Sequence, residues 1–220
     1  MKISLILAAG LFAASLARAD IVLVQTIDGM GQNAAQMTVT VGPTKVRTDV
    51  TPQISMITDT TTGDVTTIMN AQQTYMVMSA ATSKAMMASA IQQSGTLSTT
   101  PAAPVATGKK DKINGYDASE YSFSNGNLKC TYWICRDYPN AKDVTDALSK
   151  MQNSGFASLT KGFTPNLSTL PGVPVKTEVE FNGQKITTEL VSATEQNIDP
   201  SQYEVPAGYT EVKMPMMPQQ

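Results

Sequence analysis

Apolar and polar residues alternate with period two through most of this chain, in short runs broken by Gly, Pro, Asn and Asp. Met37, Val39 and Val41 alternate with Thr38 and Thr40 before Gly42-Pro43 ends the run. Val46, Thr48 and Val50 alternate with Lys45, Arg47 and Asp49. Ile54 to Thr58, Val65 to Met69 and Tyr75 to Ser79 follow, separated by turn residues. Successive side chains on a strand point to opposite faces, so this pattern predicts half-buried strands. Turns this frequent predict an antiparallel meander of about six strands from Asp20 to Ser79. Thr, with 28 copies in 220 residues, supplies the β-branched positions that suit a pleated surface.

The pattern then changes. Ala80 to Gln93 is rich in Ala and Met and reads as a helix. Gly95 to Gly108 is Ser/Thr/Pro/Ala-rich without a period and predicts a flexible loop. Strands are expected to resume at Lys112. Asn125-Gly126-Asn127 marks a hairpin before the returning strand Leu128 to Arg136. A second helix is expected from Asp143 as its cap, with Val144, Ala147, Leu148 and Met151 on one face. Phe156 to Gly172 reads as irregular. The last hairpin is the clearest: Val175, Thr177, Val179 and Phe181 face in, Asn182-Gly183 turns, and Ile186, Thr188 and Leu190 face in again. About ten strands and two helices result. The expected fold is mainly β (α+β): one curved antiparallel sheet forming an incomplete barrel, with the helices on its concave side.

The N-terminus reads as an address. Lys2 precedes an apolar run, Ile3 to Leu16, and Ala17-Arg18-Ala19 has the small-residue form of a cleavage site. The run of 14 residues is too short to span a bilayer, which needs about 20. Residues 1–19 are thus expected to be a signal peptide, cleaved after Ala19, with the product periplasmic or secreted. No later segment is long enough to be a membrane span. Residues 20–213 form a single domain, with the loop at 95–108, and residues 214–220 a Met/Pro-rich tail. Removing Lys2 and Arg18 from 16 basic residues leaves 14 against 18 acidic, a net charge of −4. That balance offers no basic footprint for nucleic acid.

The sequence contains no His, which excludes Ser-His-Asp and Cys-His catalysis and His-ligated metals. No G-x-S-x-G is present either. Glu178, Glu180 and Glu189 belong to the solvated face of a hairpin rather than to a catalytic pair. Lys109-Lys110-Asp111-Lys112 reads as a solvated loop end. No enzyme, metal or cofactor is therefore expected. Met214, Met216 and Met217 form the one tight thioether cluster, but with prolines interleaved they make a poor Cu(I) site. Cys130 and Cys135 (CTYWIC) pose a conflict. An exported chain favours a disulfide, but five strand residues span about 17 Å and bridged Cα atoms lie within about 7 Å. The strand reading predicts no intrachain bridge; a disulfide would require the strand to break there.

Twelve Met remain after Met1. They either fill the core or line a cavity for an apolar partner, since Met is flexible and polarizable. The candidate lining is Met76, Met78, Met86, Met87, Leu148 and Met151.

Four stretches together resemble a known family: Lys45-Val46-Arg47-Thr48-Asp49, Met69 to Met78, Ile113-Asn114-Gly115-Tyr116 with Tyr121 and Trp133, and Tyr203 to Tyr209 (YEVPAGY). The chain from Asp20 to Lys213 resembles the bacterial DUF4412 family, a domain of unknown function similar in fold to the periplasmic lipoprotein carriers of the LolA/LolB and LppX-like group. The resemblance implies a non-enzymatic binding or carrier protein for an apolar ligand, a lipid or a lipoprotein acyl chain. The alternative is an envelope protein-interaction or sensor module that uses the curved sheet or its edges as a groove.

Overall fold

Two β-meanders meet along one seam. The computed structural model describes residues 19–29, 34–94, 103–154 and 164–213. The first meander runs β1 (Asp20–Asp28), β2 (Ala35–Val41), β3 (Lys45–Thr51), β4 (Ile54–Asp59), β5 (Val65–Met69) and β6 (Thr74–Met78). Helix α1 (Ala80–Ser94) follows. The second meander is β7 (Val105–Ile113), β8 (Tyr116–Asn125), β9 (Leu128–Cys135), then α2 (Ala141–Gln152), β10 (Val173–Phe181) and β11 (Gln184–Gln196). A two-residue strand β12 (Thr210–Glu211) comes last. The sheet order is β12-β6-β5-β4-β3-β2-β1-β11-β10-β9-β8-β7. The meanders join where β1 pairs with β11, Leu23 opposite Ala193. The sheet is mainly antiparallel and does not close into a barrel.

The sequence expectations hold in outline and differ in detail. Six strands precede α1, as the alternation predicts. Among the described residues the total is twelve rather than about ten, and the sheet is mixed, because β12 pairs in parallel with β6. The second half resumes at Val105, not Lys112, so Val105 to Gly108 belong to β7 and Lys109 to Lys112 lie on a strand rather than at a loop end. Of the expected loop, residues 95–102 lie outside the described residues. So do the segment before Ala19 that is expected to be a signal peptide and the tail at 214–220. Helix α2 starts two residues before Asp143; its N-cap is Asn140 in the left-handed region, and Asp143 sits in the first turn. A carboxylate there still favours the positive end of the helix dipole. Among the described residues no helix is long and apolar enough to cross a membrane.

Local chemistry explains the turns and caps. Asn182 and Gly183 have φ of 51° and 79°, the pair of positive values that a type I′ hairpin requires. Helix α1 is capped by Ser79 Oγ, which accepts from Thr82 N at 3.1 Å, and by Asp64 Oδ1, which accepts from Ala80 N at 3.0 Å. Lys176, Glu178, Lys185 and Glu189 form the expected wet face, with Lys185–Glu178 at 2.9 Å and Lys176–Glu189 at 3.1 Å. Only Lys185 is well exposed; the other three side chains are half-buried, yet pairs still reached by water contribute only about 1 kcal/mol.

The main core lies between the seam and α2. Leu23, Val39, Val173 and Val175 are fully buried, and Val144 and Leu148 of α2 pack with them. Val144 and Leu148 together contribute about 3–6 kcal/mol by burial. Lys150 Nζ ties the end of α2 to the β2–β3 turn by donating to Gly42 O at 2.7 Å and Pro43 O at 2.9 Å. On the outer face the chain end straps back across the first meander. Lys45 Nζ donates to Tyr203 O (3.2 Å), Arg47 Nη1 to Gln202 O (2.9 Å), and Tyr209 OH to Asn70 Oδ1 (3.1 Å). Tyr203 OH reaches the buried Asp20 carboxylate at 2.7 Å. Gly42 makes room for this, since a Cβ there would lie 2.8 Å from the Tyr203 ring. Four stretches far apart in sequence, at Asp20, Gly42 to Arg47, Asn70 and Gln202 to Tyr209, are thus one structural clasp.

Candidate functional site

Antiparallel partners share a face of the sheet, so the register assigns each strand residue to one side. On the concave side two rows cross from β3 to β6. One is Thr48, Met56, Thr67 and Met76; the other is Val46, Thr58, Val65 and Met78. Two rows of the second meander share the same property: Tyr132 with Thr177 and Thr188, and Cys130 with Val179 and Ile186.

These rows come together. A cavity of about 390 Å³ is lined by Val46, Thr48, Met56 and Thr58 from β3 and β4, and by Cys130, Tyr132, Thr177 and Val179 from β9 and β10. Leu148, Met151 and Gln152 of α2 and Leu167 complete much of the wall. Strands β4 and β9 are six places apart in the sheet order. In a flat sheet that is about 29 Å at the usual strand spacing. One cavity touching both requires the sheet to curl around α2. The helix packs on β1, β2 and β10, the strands at the bottom of that curl.

The six residues expected to line a cavity divide. Leu148 and Met151 line this one. Met76 and Met78 lie on the same face, at the far ends of its two rows on β6, and outside its lining. Met86 is on α1 and 40% exposed. The side chain of Met87 lies outside the described residues. Sequence reasoning missed Tyr132, Val179 and the cavity role of Met56. Their signal was the alternation itself, which puts Cys130 with Tyr132, and Thr177 with Val179, on one face.

Cys130 and Cys135 are free and buried on an unbroken strand, as the strand reading predicts. They belong to different apolar clusters, Cys130 beside Phe123 and Ile134, Cys135 beside Val173 and Val144. Burial raises both thiol pKa values; for Cys130 a hydrogen bond with Tyr132 opposes it. Neither is poised as a nucleophile. Burial, then Cys130, raises the Tyr132 phenol far above its ordinary range. Burial pushes Tyr138 up to about 12, aided by the charge of and the hydrogen bond with the Tyr116 phenol, whose ring lies 4.7 Å away. Tyr203 is raised by burial and by Asp20.

These shifts have a pH consequence. Below pH 10.0, the ordinary tyrosine value, folded and unfolded chains are both protonated and the contribution is intact. Above it the unfolded chain loses protons that the folded chain keeps, so stability falls as pH rises toward the folded values. The urea midpoint is expected to hold from about pH 7 to 9 and to fall above about 10, with Tyr132→Phe flattening the fall. A midpoint unchanged at about pH 12 would contradict the burial of these phenols.

A second cavity, of about 310 Å³, lies at the rim between α2 and the β2–β3 turn, and carries Asp143, Asp146 and Lys150. The cavity under the curl has no charged side chain among its described lining residues. A mainly β sheet curled over one packed helix, with an apolar space beneath, is the class of structure the geometry defines. The chain belongs to the DUF4412 family, a domain of unknown function, which matches residues 21–209. No curated protein matches the sequence.

Among solved structures it is similar to PNGF-II in two crystal forms, at 10% identity in each. The alignments cover 90% and 89% of this chain and 31% and 32% of PNGF-II, with TM-scores of 0.41 and 0.40. The chain therefore spans about a third of the length of those structures. It is also similar to a LolA superfamily protein from Nitrosomonas europaea, at 7% identity, covering 86% of this chain and 91% of that one, with a TM-score of 0.31.

Proposed function

We propose that this protein is an exported, non-enzymatic holder or carrier of an apolar ligand, a lipid or a lipoprotein acyl chain. The observation that carries the reading is the cavity of about 390 Å³ under the curled sheet, walled by Val46, Met56, Leu148, Met151, Leu167 and Val179. Its volume falls in the range of small-molecule sites, about 300–1,000 Å³. Each methylene withdrawn from water there contributes about 0.8 kcal/mol. Met56 from β4 and Met151 from α2 both line it and suit a chain of variable shape. The absence of His from the sequence favours holding over catalysis. The N-terminal pattern favours export.

The interaction-module reading is less favoured by the sheet edge. Strand β7 carries Lys109, Lys110 and Lys112 and a register shift between Ala106 and Lys110. Charged side chains and bulges on an edge discourage strand addition.

Nile red titration and native mass spectrometry of protein purified from its own envelope test the proposal together. The expected result is saturable fluorescence enhancement and a co-purifying apolar mass. Repeated recovery without an adduct, together with no dye binding, would sink it.

A further inference from the structure

Resting on that reading, we propose that the cavity takes a neutral amphiphile whose polar group is an ester or alcohol, rather than a fatty-acid anion. Fourteen described residues line it, and none is Asp, Glu, Lys or Arg. Seven of them nonetheless carry a hydroxyl or amide: Thr48, Thr58, Thr177, Thr164, Tyr132, Ser154 and Gln152.

Several of these are already committed. Gln152 Nε2 donates to Pro165 O at 2.7 Å and its Oε1 accepts from Leu167 N at 3.0 Å. Ser154 Oγ donates to Met151 O at 3.1 Å. Tyr132 bonds with Cys130. The hydroxyls of Thr48, Thr58 and Thr177 have no such partner among the described residues. They face the cavity from two opposing walls, Thr48 beside Met56, Thr58 beside Val46, Thr177 beside Tyr132.

Each free hydroxyl offers one donor and two acceptor sites. That inventory satisfies an ester carbonyl, which accepts, or an alcohol, which does both. It does not satisfy a carboxylate. A buried anion needs a cation or several strong donors, and without them it stays in water or takes up a proton. The alternation of Thr with Val and Met along the walls therefore selects for polar groups without charge, attached to an apolar chain.

Calorimetric titration of the purified protein with 1-monolauroylglycerol and with lauric acid, both at about pH 8, separates the outcomes. Lauric acid is ionised there. Monolauroylglycerol is expected to bind at least about tenfold tighter. The triple variant Thr48→Val, Thr58→Val, Thr177→Val keeps the shape and β-propensity of each site, and is expected to weaken monolauroylglycerol about tenfold while leaving laurate little changed. If the triple variant does not fold by circular dichroism, Thr177→Val alone carries the test, with an expected loss of about threefold. Laurate binding as tightly as the ester, or ester binding indifferent to the threonines, would overturn the inference while leaving the apolar-ligand reading in place. Binding of neither probe would remove that reading itself.

Discussion

Leu23→Ala is expected to lower the unfolding free energy by about 2–5 kcal/mol, the cost of a cavity at a fully buried leucine. Leu23 has no exposed surface and sits on β1 between Val39 of β2 and Ala193 of β11. Strand β1 joins the two meanders, so a void there loosens the seam that sets their relative position. Domains are typically stable by about 5–15 kcal/mol, which makes this a large fraction. Val191→Ala, at a site 42% exposed on the neighbouring strand, is the control and should stay within about 0.5 kcal/mol. Urea unfolding of both variants checks the pair. A Leu23→Ala midpoint that matches the control would mean that the seam does not organise the fold.

The second large effect is on binding. Val179→Trp is expected to weaken an acyl ligand by about a hundredfold while the protein still folds. Val179 lines the cavity beside Cys130. An indole there occupies space that three or four methylenes would otherwise fill. At about 0.8 kcal/mol each, their exclusion costs about 3 kcal/mol, or two powers of ten in affinity. Filling an existing cavity costs less stability than overpacking a full core, because the cavity supplies much of the space the indole needs. Nile red titration of Val179→Trp against the parent, with thermal melts of both, separates lost binding from lost folding. Unchanged affinity would place the ligand elsewhere.

Local features of this fold were legible in the sequence because they are local in origin. The alternation from Met37 to Met78 gives the strands directly, and Asn182-Gly183 gives the hairpin through its positive φ values. Helix α2 announces its buried face at Val144, Ala147 and Leu148 through helical spacing. What was hidden depends on distant parts of the chain. The pairing of β1 with β11 joins residues about 170 apart, and no short pattern encodes it. Strand β7 is exposed along all but its last residue, so it has no apolar alternation to betray it, and Val105 to Gly108 looked like loop. Asn140 caps α2 from a left-handed conformation without a side-chain bond, which spacing could not reveal.

The candidate site follows the same division. Leu148 and Met151 border the cavity because helical periodicity marks one face of α2, and that face meets it. Met76 and Met78 share a face with the cavity rows, but the distance that separates them from the cavity is set by strand order, which periodicity does not carry. Tyr132 and Val179 meet Met56 only because the sheet curls through six strand spacings. Curvature of that degree comes from twist accumulated over many strands and from the helix held inside, not from any one segment.

The most direct test of a chain-binding cavity is methyl NMR of protein labelled at the methionine ε-carbons, titrated with 1-monolauroylglycerol. The expected result is that Met56 of β4 and Met151 of α2 shift together and saturate with one ligand, while the exposed Met86 stays in place. Saturable binding that leaves Met56 and Met151 unmoved would contradict the assignment of this cavity as the site.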